Sequence, residues 1–147
     1  MDRGSAVMLT ALAGGLVALQ APINSGLGRT VGTFQAAFLS FVIGTVALTV
    51  IAGLSRGGFG QLAEVGNIAW YYLLGGLLGV VYVTSVLVTV RTLGVGGITA
   101  ATIAGQLAMA VVVDHFGWLG VDRDPIDVTK IAGVGLLAVG VWLIVRD

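Results

Sequence analysis

Apolar residues run through this chain in long, nearly unbroken stretches, and the polar residues gather in the gaps between them. Such stretches, about 20 residues each, recur too often for a surface that faces water. Five fit a membrane crossing, over residues 5–23, 33–54, 69–90, 94–116 and 126–145. A helix rises about 1.5 Å per residue, so each covers a hydrocarbon core about 30 Å thick. The pattern predicts an all-α polytopic membrane protein, a single domain over 1–147 with five transmembrane helices. Asp2-Arg3 is a weakly basic flank and the first apolar run exceeds a usual signal-peptide core, so that run reads as a retained span.

The gaps set the punctuation. Residues 24–32 form a short, Gly-rich connection. Ser55 to Ile68, with Arg56, Gly57, Gly58, Gly60 and Glu64, reads as a flexible surface loop. Arg91-Thr92-Leu93 leaves room only for a tight antiparallel hairpin. In Asp124-Pro125-Ile126-Asp127, Asp124 suits an N-cap, Pro125 the first helical position, and Asp127 the positive helix end. Trp70, Tyr71, Tyr72, Phe116, Trp118 and Trp142 fall at span ends, where an aromatic belt sits. Arg29-Thr30-Val31-Gly32 is echoed by Arg91-Thr92-Leu93-Gly94, which suggests two related hairpins with a fifth helix added.

Small residues recur at every fourth position: Ala36, Ser40 and Gly44; Gly75 and Gly79; Gly97, Ala101 and Gly105. These stripes let helix backbones approach closely in lipid, where the hydrophobic effect between helices is absent. Composition agrees: 57% hydrophobic, 10% charged and a mean hydropathy of +1.05 place the chain outside the soluble range. Without cysteine there is no disulfide, zinc–thiolate site or thiol nucleophile, and zero net charge gives no basic surface for nucleic acid. The lone His excludes a histidine-pair metal motif, and no nucleophile elbow or phosphate loop is present. The chain is therefore not expected to be an enzyme or to hold a cofactor. Asp114-His115 is the one adjacent acid–imidazole pair, placed at a span end where water is in reach.

Gln20-Ala21-Pro22-Ile23-Asn24 is the least bland run. Gln20 and Asn24 share a helix face, and Pro22 should kink or end the helix. This is either the wall of a cavity or an ordinary helix end. The centres of all five spans lack charge and keep only neutral polar groups: Gln20, Thr45, Tyr82, Ser85, Thr99, Thr102 and Gln106. Thr99, Thr102 and Gln106 lie on one face. A glutamine in hydrocarbon costs several kcal/mol unless its amide is paired, so Gln106 must meet another helix or a wet cavity. Gln106, Gln20 and Asn24, with Tyr82 and Ser85, are the candidate substrate-binding residues.

The run Gln20-x-Pro22-x-Asn24-x-x-Leu27-Gly28-Arg29, followed by Gln35-Ala36-Ala37-Phe38 and Ser40-Phe41-x-x-Gly44-Thr45, resembles the YdcZ-like family. Gly75-Gly76-x-x-Gly79, Gly105-Gln106 and Asp114-His115-Phe116-Gly117 extend the likeness over essentially the whole chain. That family is a half-size, five-helix branch of the drug/metabolite transporter superfamily. The resemblance implies a transporter subunit in a bacterial-type inner membrane, working as an antiparallel homodimer or with a homologous short subunit, and moving a small organic solute. The related small multidrug resistance proteins exchange protons at a first-helix glutamate. This chain has no carboxylate in its first span, so that mechanism does not carry over.

Lys and Arg allow insertion both ways, because Arg3, Arg56, Arg123 and Lys130 fall on one face and Arg29, Arg91 and Arg146 on the other. The expected function is alternating access at a dimer-interface cavity. A non-transporting membrane scaffold, or half of an obligate heterodimer, is the alternative.

Overall fold

The computed structural model describes residues 2–146, and among them the structure is helical with no strand. Its α-helices are α1 (Arg3–Val31), α2 (Thr33–Leu54), α3 (Leu74–Phe116) and α4 (Val128–Val145). Four segments are long and apolar enough to cross a membrane: Arg3–Val31, Thr33–Leu54, Trp70–Phe116 and Val128–Val145. Most large apolar side chains are exposed, and none of the apolar window in α4 is buried. Such a surface suits lipid and not water.

Helix α1 starts on Asp2, whose carboxylate accepts from Ser5 N at 2.8 Å. That bond, reinforced by the Ser5 hydroxyl, holds the Asp2 carboxyl below its ordinary pKa. Helix α1, 29 residues long, runs through Pro22, so the helix does not end there, and the connection expected at 24–32 is helical as far as Val31. Proline denies Ala18 O its usual donor, a defect that packing against neighbouring helices makes tolerable in membrane helices. Here Ala21, Asn24, Ser25 and Gly28 form a buried stripe across the proline.

The actual break is a single residue. Gly32 adopts φ 98° and ψ 154°, ends α1 and begins α2. That backbone region is essentially reserved for glycine. A second break interrupts α3, where Gly94 has φ 67° and ψ 173°. Arg91, Thr92 and Leu93, expected to form a loop, are helical, and the break falls on the glycine just after them. The two glycines close the echoed Arg-Thr-x-Gly runs. Burial repeats with them: the residues eleven, seven and four before each glycine, and four after it, are buried. These are Ala21, Ser25, Gly28 and Ala36 at the first, and Val83, Leu87, Val90 and Ile98 at the second.

The chain forms two compact units, one ending at Val88 and the other starting at Thr89. In the first, Ala36, Ala37, Val83 and Leu87 make a small core, flanked by Leu27, Phe41 and Tyr82. Between α2 and α3 the expected surface loop holds a 3₁₀ helix, Gly60–Asn67, and a 3₁₀ turn, Trp70–Leu73, precedes α3. The α-helix proper therefore begins at Leu74, within an apolar span that starts at Trp70, close to the expected 69. Tight turns at helix starts are common, and here the three aromatics pack on one another, with Tyr71 and Tyr72 ring centroids 4.7 Å apart.

In the second unit, Gly117 in the left-handed region terminates α3. Its last carbonyls are satisfied by the following loop: Asp124 N donates to Asp114 O at 2.8 Å and Arg123 Nε to His115 O at 3.1 Å. Helix α4 begins three residues later than the cap signals in the sequence suggest. Its N-cap is Asp127, which accepts from Lys130 N at 2.7 Å, whereas Asp124 pairs with Lys130 Nζ at 2.6 Å. Lys130 thus touches both aspartates, its backbone N–H on the Asp127 cap and its ammonium on the Asp124 carboxylate and on the Asp124 and Pro125 carbonyls. Asp127→Ala should lower stability by about 1 kcal/mol, as loss of a cap does. Asp124→Ala should cost about 0–1 kcal/mol, because Asp124 is exposed. Thermal unfolding of both variants checks the reassignment.

Candidate functional site

A one-residue turn at Gly32 places residues equidistant from it at equal depth on α1 and α2. Four residues either side stand Gly28 and Ala36, and a Cβ built on Gly28 would lie 3.6 Å from Ala36 Cβ. Eight either side stand Asn24 and Ser40, where Ser40 Oγ donates to Asn24 Oδ1 at 2.7 Å. Twelve either side stand Gln20 and Gly44, which line one cavity. The small-residue stripe of α2 is therefore used inside the chain, letting α1 approach closely enough for this polar bond.

Extending α1 to Val31 changes the depth of the site. Val17 becomes the centre of the helix, so Gln20 lies within a turn of the middle and Asn24 well inside the end. Asn24 is buried, only 7% exposed, and its carbonyl oxygen is satisfied by Ser40. Gln20 is exposed, and its amide has no hydrogen-bond partner among the described residues.

Two cavities meet at Gln20. The smaller, about 10 Å³, is lined by Val17, Gln20, Asn24, Tyr82 and Val86 among others, and holds one water at most. The larger, about 240 Å³, opens between α1 and α2. Neither is lined by a charged residue. Electrostatically this is a neutral site of amides and hydroxyls, able to donate and accept hydrogen bonds without ion pairing.

Of the residues singled out in the sequence, Gln20, Asn24 and Tyr82 share the smaller cavity. Ser85 is exposed on α3 and does not line it. Gln106 lies on α3 within the other unit, exposed, with no hydrogen-bond partner among the described residues. On its stripe, Thr99 returns its hydroxyl to Val95 O at 2.8 Å. Ser40 and Gly44 join the site although the sequence presents them as packing residues. Their symmetry with Asn24 and Gln20 about Gly32 is the signal, and it is visible only once Gly32 is known to be the turn.

Asp114 and His115 form no acid–imidazole dyad. His115 Nδ1 accepts from Ile126 N at 3.0 Å, clasping the loop to the end of α3. Among the described residues, no group of three or more His, Asp or Glu side chains is placed to hold a metal ion.

The sequence model of the family described as "Putative inner membrane exporter, YdcZ" matches residues 5–143. Inner membrane protein YdcZ of Escherichia coli (strain K12) is 32% identical over 113 residues, which cover 76% of this chain and 74% of that protein. No solved structure matches the chain at a significant level.

Proposed function

The chain belongs to the YdcZ family of inner-membrane proteins, and from that premise we propose that it is a transporter subunit that exports a small organic solute by alternating access. The observation that carries this reading is the neutral polar site at Gln20: uncharged hydrogen-bonding groups converge on cavities near the middle of an apolar helix. Structural packing alone does not call for an unpartnered amide at that depth.

The length of α3 supports five crossings. Its 43 residues would span about 65 Å as one rod, twice a hydrocarbon core. Gly94, the counterpart of Gly32, divides it into two limbs of crossing length. Five crossings put the chain ends on opposite faces, and the even spread of Lys and Arg supports insertion in both orientations.

The working unit is an antiparallel homodimer whose two-fold axis passes beside the solute path. Gly79 packs on Phe41, and the α2 stripe packs on α1. Gly105 on α3 and Gly133 and Gly140 on α4 are among the glycines open to a second copy, since an added Cβ there meets nothing within 4 Å. Gln20, Asn24 and Gln106 bind the solute, with Tyr82 and Ser85 as neighbours.

The test is solute efflux from proteoliposomes across a chemically broad panel. Gln20→Ala and Gln106→Ala should each abolish saturable flux while the protein stays folded and dimeric. Unchanged flux per dimer with failed dimerisation would make these glutamines helix glue. Absence of flux for every solute would favour a scaffold or an obligate partner chain.

A further inference from the structure

Building on the transporter reading above, we propose that the groove between α1 and α2 is a water-filled vestibule that takes an uncharged, hydroxyl-bearing solute. Its walls are Gln20, Ser40, Phe41, Gly44, Thr45 and Leu48. Its volume, about 240 Å³, falls below the roughly 300–1,000 Å³ of drug-sized pockets, so the fitting ligand is small.

In a bilayer three occupants compete for this space: an acyl chain, a second copy of the protein, or water with its solute. The polar groups decide between them. Thr10, Thr49 and Thr99 return their hydroxyls to the carbonyl one turn back, at 2.8 to 2.9 Å. Thr45 does not, and neither its hydroxyl nor the Gln20 amide has a hydrogen-bond partner among the described residues. An acyl chain would leave both groups dry and unpaired, which is unfavourable. A second copy would have to bring matching polar groups to this depth to satisfy both. Water or a hydroxylated solute satisfies both groups at once.

The chemistry of the walls narrows the solute further. Gln20 offers a donor and an acceptor and Thr45 a hydroxyl. Ser40 already donates its hydroxyl hydrogen to Asn24 Oδ1, so toward a solute it can offer only an acceptor. Phe41 and Leu48 supply an apolar wall. With no charge in the lining, an ionic solute would lose its hydration without a counter-charge.

The absence of native cysteine allows a direct test. Single variants Thr45→Cys and Ile43→Cys sit at similar depth on opposite faces of α2, and both are reconstituted as the full chain in liposomes. Labelling uses membrane-impermeant sulfonatoethyl methanethiosulfonate. Thr45→Cys should react about tenfold faster than Ile43→Cys. Xylitol, an uncharged polyol, should slow that reaction, and glutamate at equal concentration should not. Should Thr45→Cys fail to fold, Leu48→Cys on the same wall replaces it.

Equal, slow labelling of the two positions means lipid or a second copy fills the groove and overturns the proposal. Equal, fast labelling overturns it too, because the groove would not be distinct from the helix exterior. Fast labelling that glutamate slows as well as xylitol overturns the neutral-solute assignment, as does fast labelling that neither slows. Proteoliposome flux is scored separately: a silent flux assay with selective, xylitol-sensitive labelling would refute transport and leave the vestibule standing.

Discussion

Gly32→Ala should destabilise the protein by about 1–3 kcal/mol, the cost of forcing a side chain into a backbone region that essentially only glycine occupies. The new Cβ would also lie 2.5 Å from Gln35 Oε1, although the Gln35 side chain can swing aside at small cost. Backbone strain at φ 98° therefore outweighs the contact. Gly94→Ala, at φ 67° with open space around it, should show the strain without the contact. Gly26→Ala is the control, since Gly26 is helical and faces nothing within 4 Å. There alanine should be neutral or stabilising by up to about 1 kcal/mol, from helix propensity alone. Thermal unfolding of the three purified variants in a mild detergent orders them. If Gly32→Ala unfolds no earlier than Gly26→Ala, the one-residue turn is wrong, and with it the symmetry that pairs Asn24 with Ser40.

A charge at Asn24 should have the other large effect. Asn24→Asp barely changes shape, but at neutral pH it asks for a carboxylate at a buried position within an apolar helix. Ionisation there should cost several kcal/mol. The folded protein will resist by raising the pKa of the new carboxyl above its unfolded value of about 3.9. Between those two values the folded state holds more protons than the unfolded state, so stability falls as pH rises. The variant should thus approach native stability near pH 4 and lose it progressively up to its raised folded pKa. Ser40→Ala instead removes the donor to Asn24 Oδ1 without adding charge. It should cost about 0.6–2 kcal/mol, with no such pH dependence. Unfolding midpoints measured across pH separate the two. A flat profile for Asn24→Asp would mean that the site is open to bulk water.

Membrane residence and all-helical structure were legible from the chain because both depend on local quantities. A run of apolar residues binds lipid whatever its neighbours do, and in lipid the backbone can satisfy itself only as a helix or a closed barrel. Family membership was legible for a related reason: Gln20-x-Pro22-x-Asn24, Gly105-Gln106 and their companions lie at fixed spacings that need no folding to be seen.

Where the helices break and which side chains meet were decided by tertiary structure. Pro22 carries the strongest local signal for a break, yet α1 passes through it, with buried Ala21 on one side and Asn24, Ser25 and Gly28 on the other. The break falls instead on Gly32, one of 24 glycines. Composition cannot mark which glycine will take a positive φ, since glycine permits that angle without requiring it. The same holds at α4, where the sequence points to Asp124 as the cap but Asp127 caps the helix and Asp124 pairs with Lys130. The bond from Ser40 to Asn24 is the clearest case. Asn24 reads as a candidate site residue and Ser40 as packing, and only the turn at Gly32 sets them at one depth, because depth in a hairpin is counted from its turn.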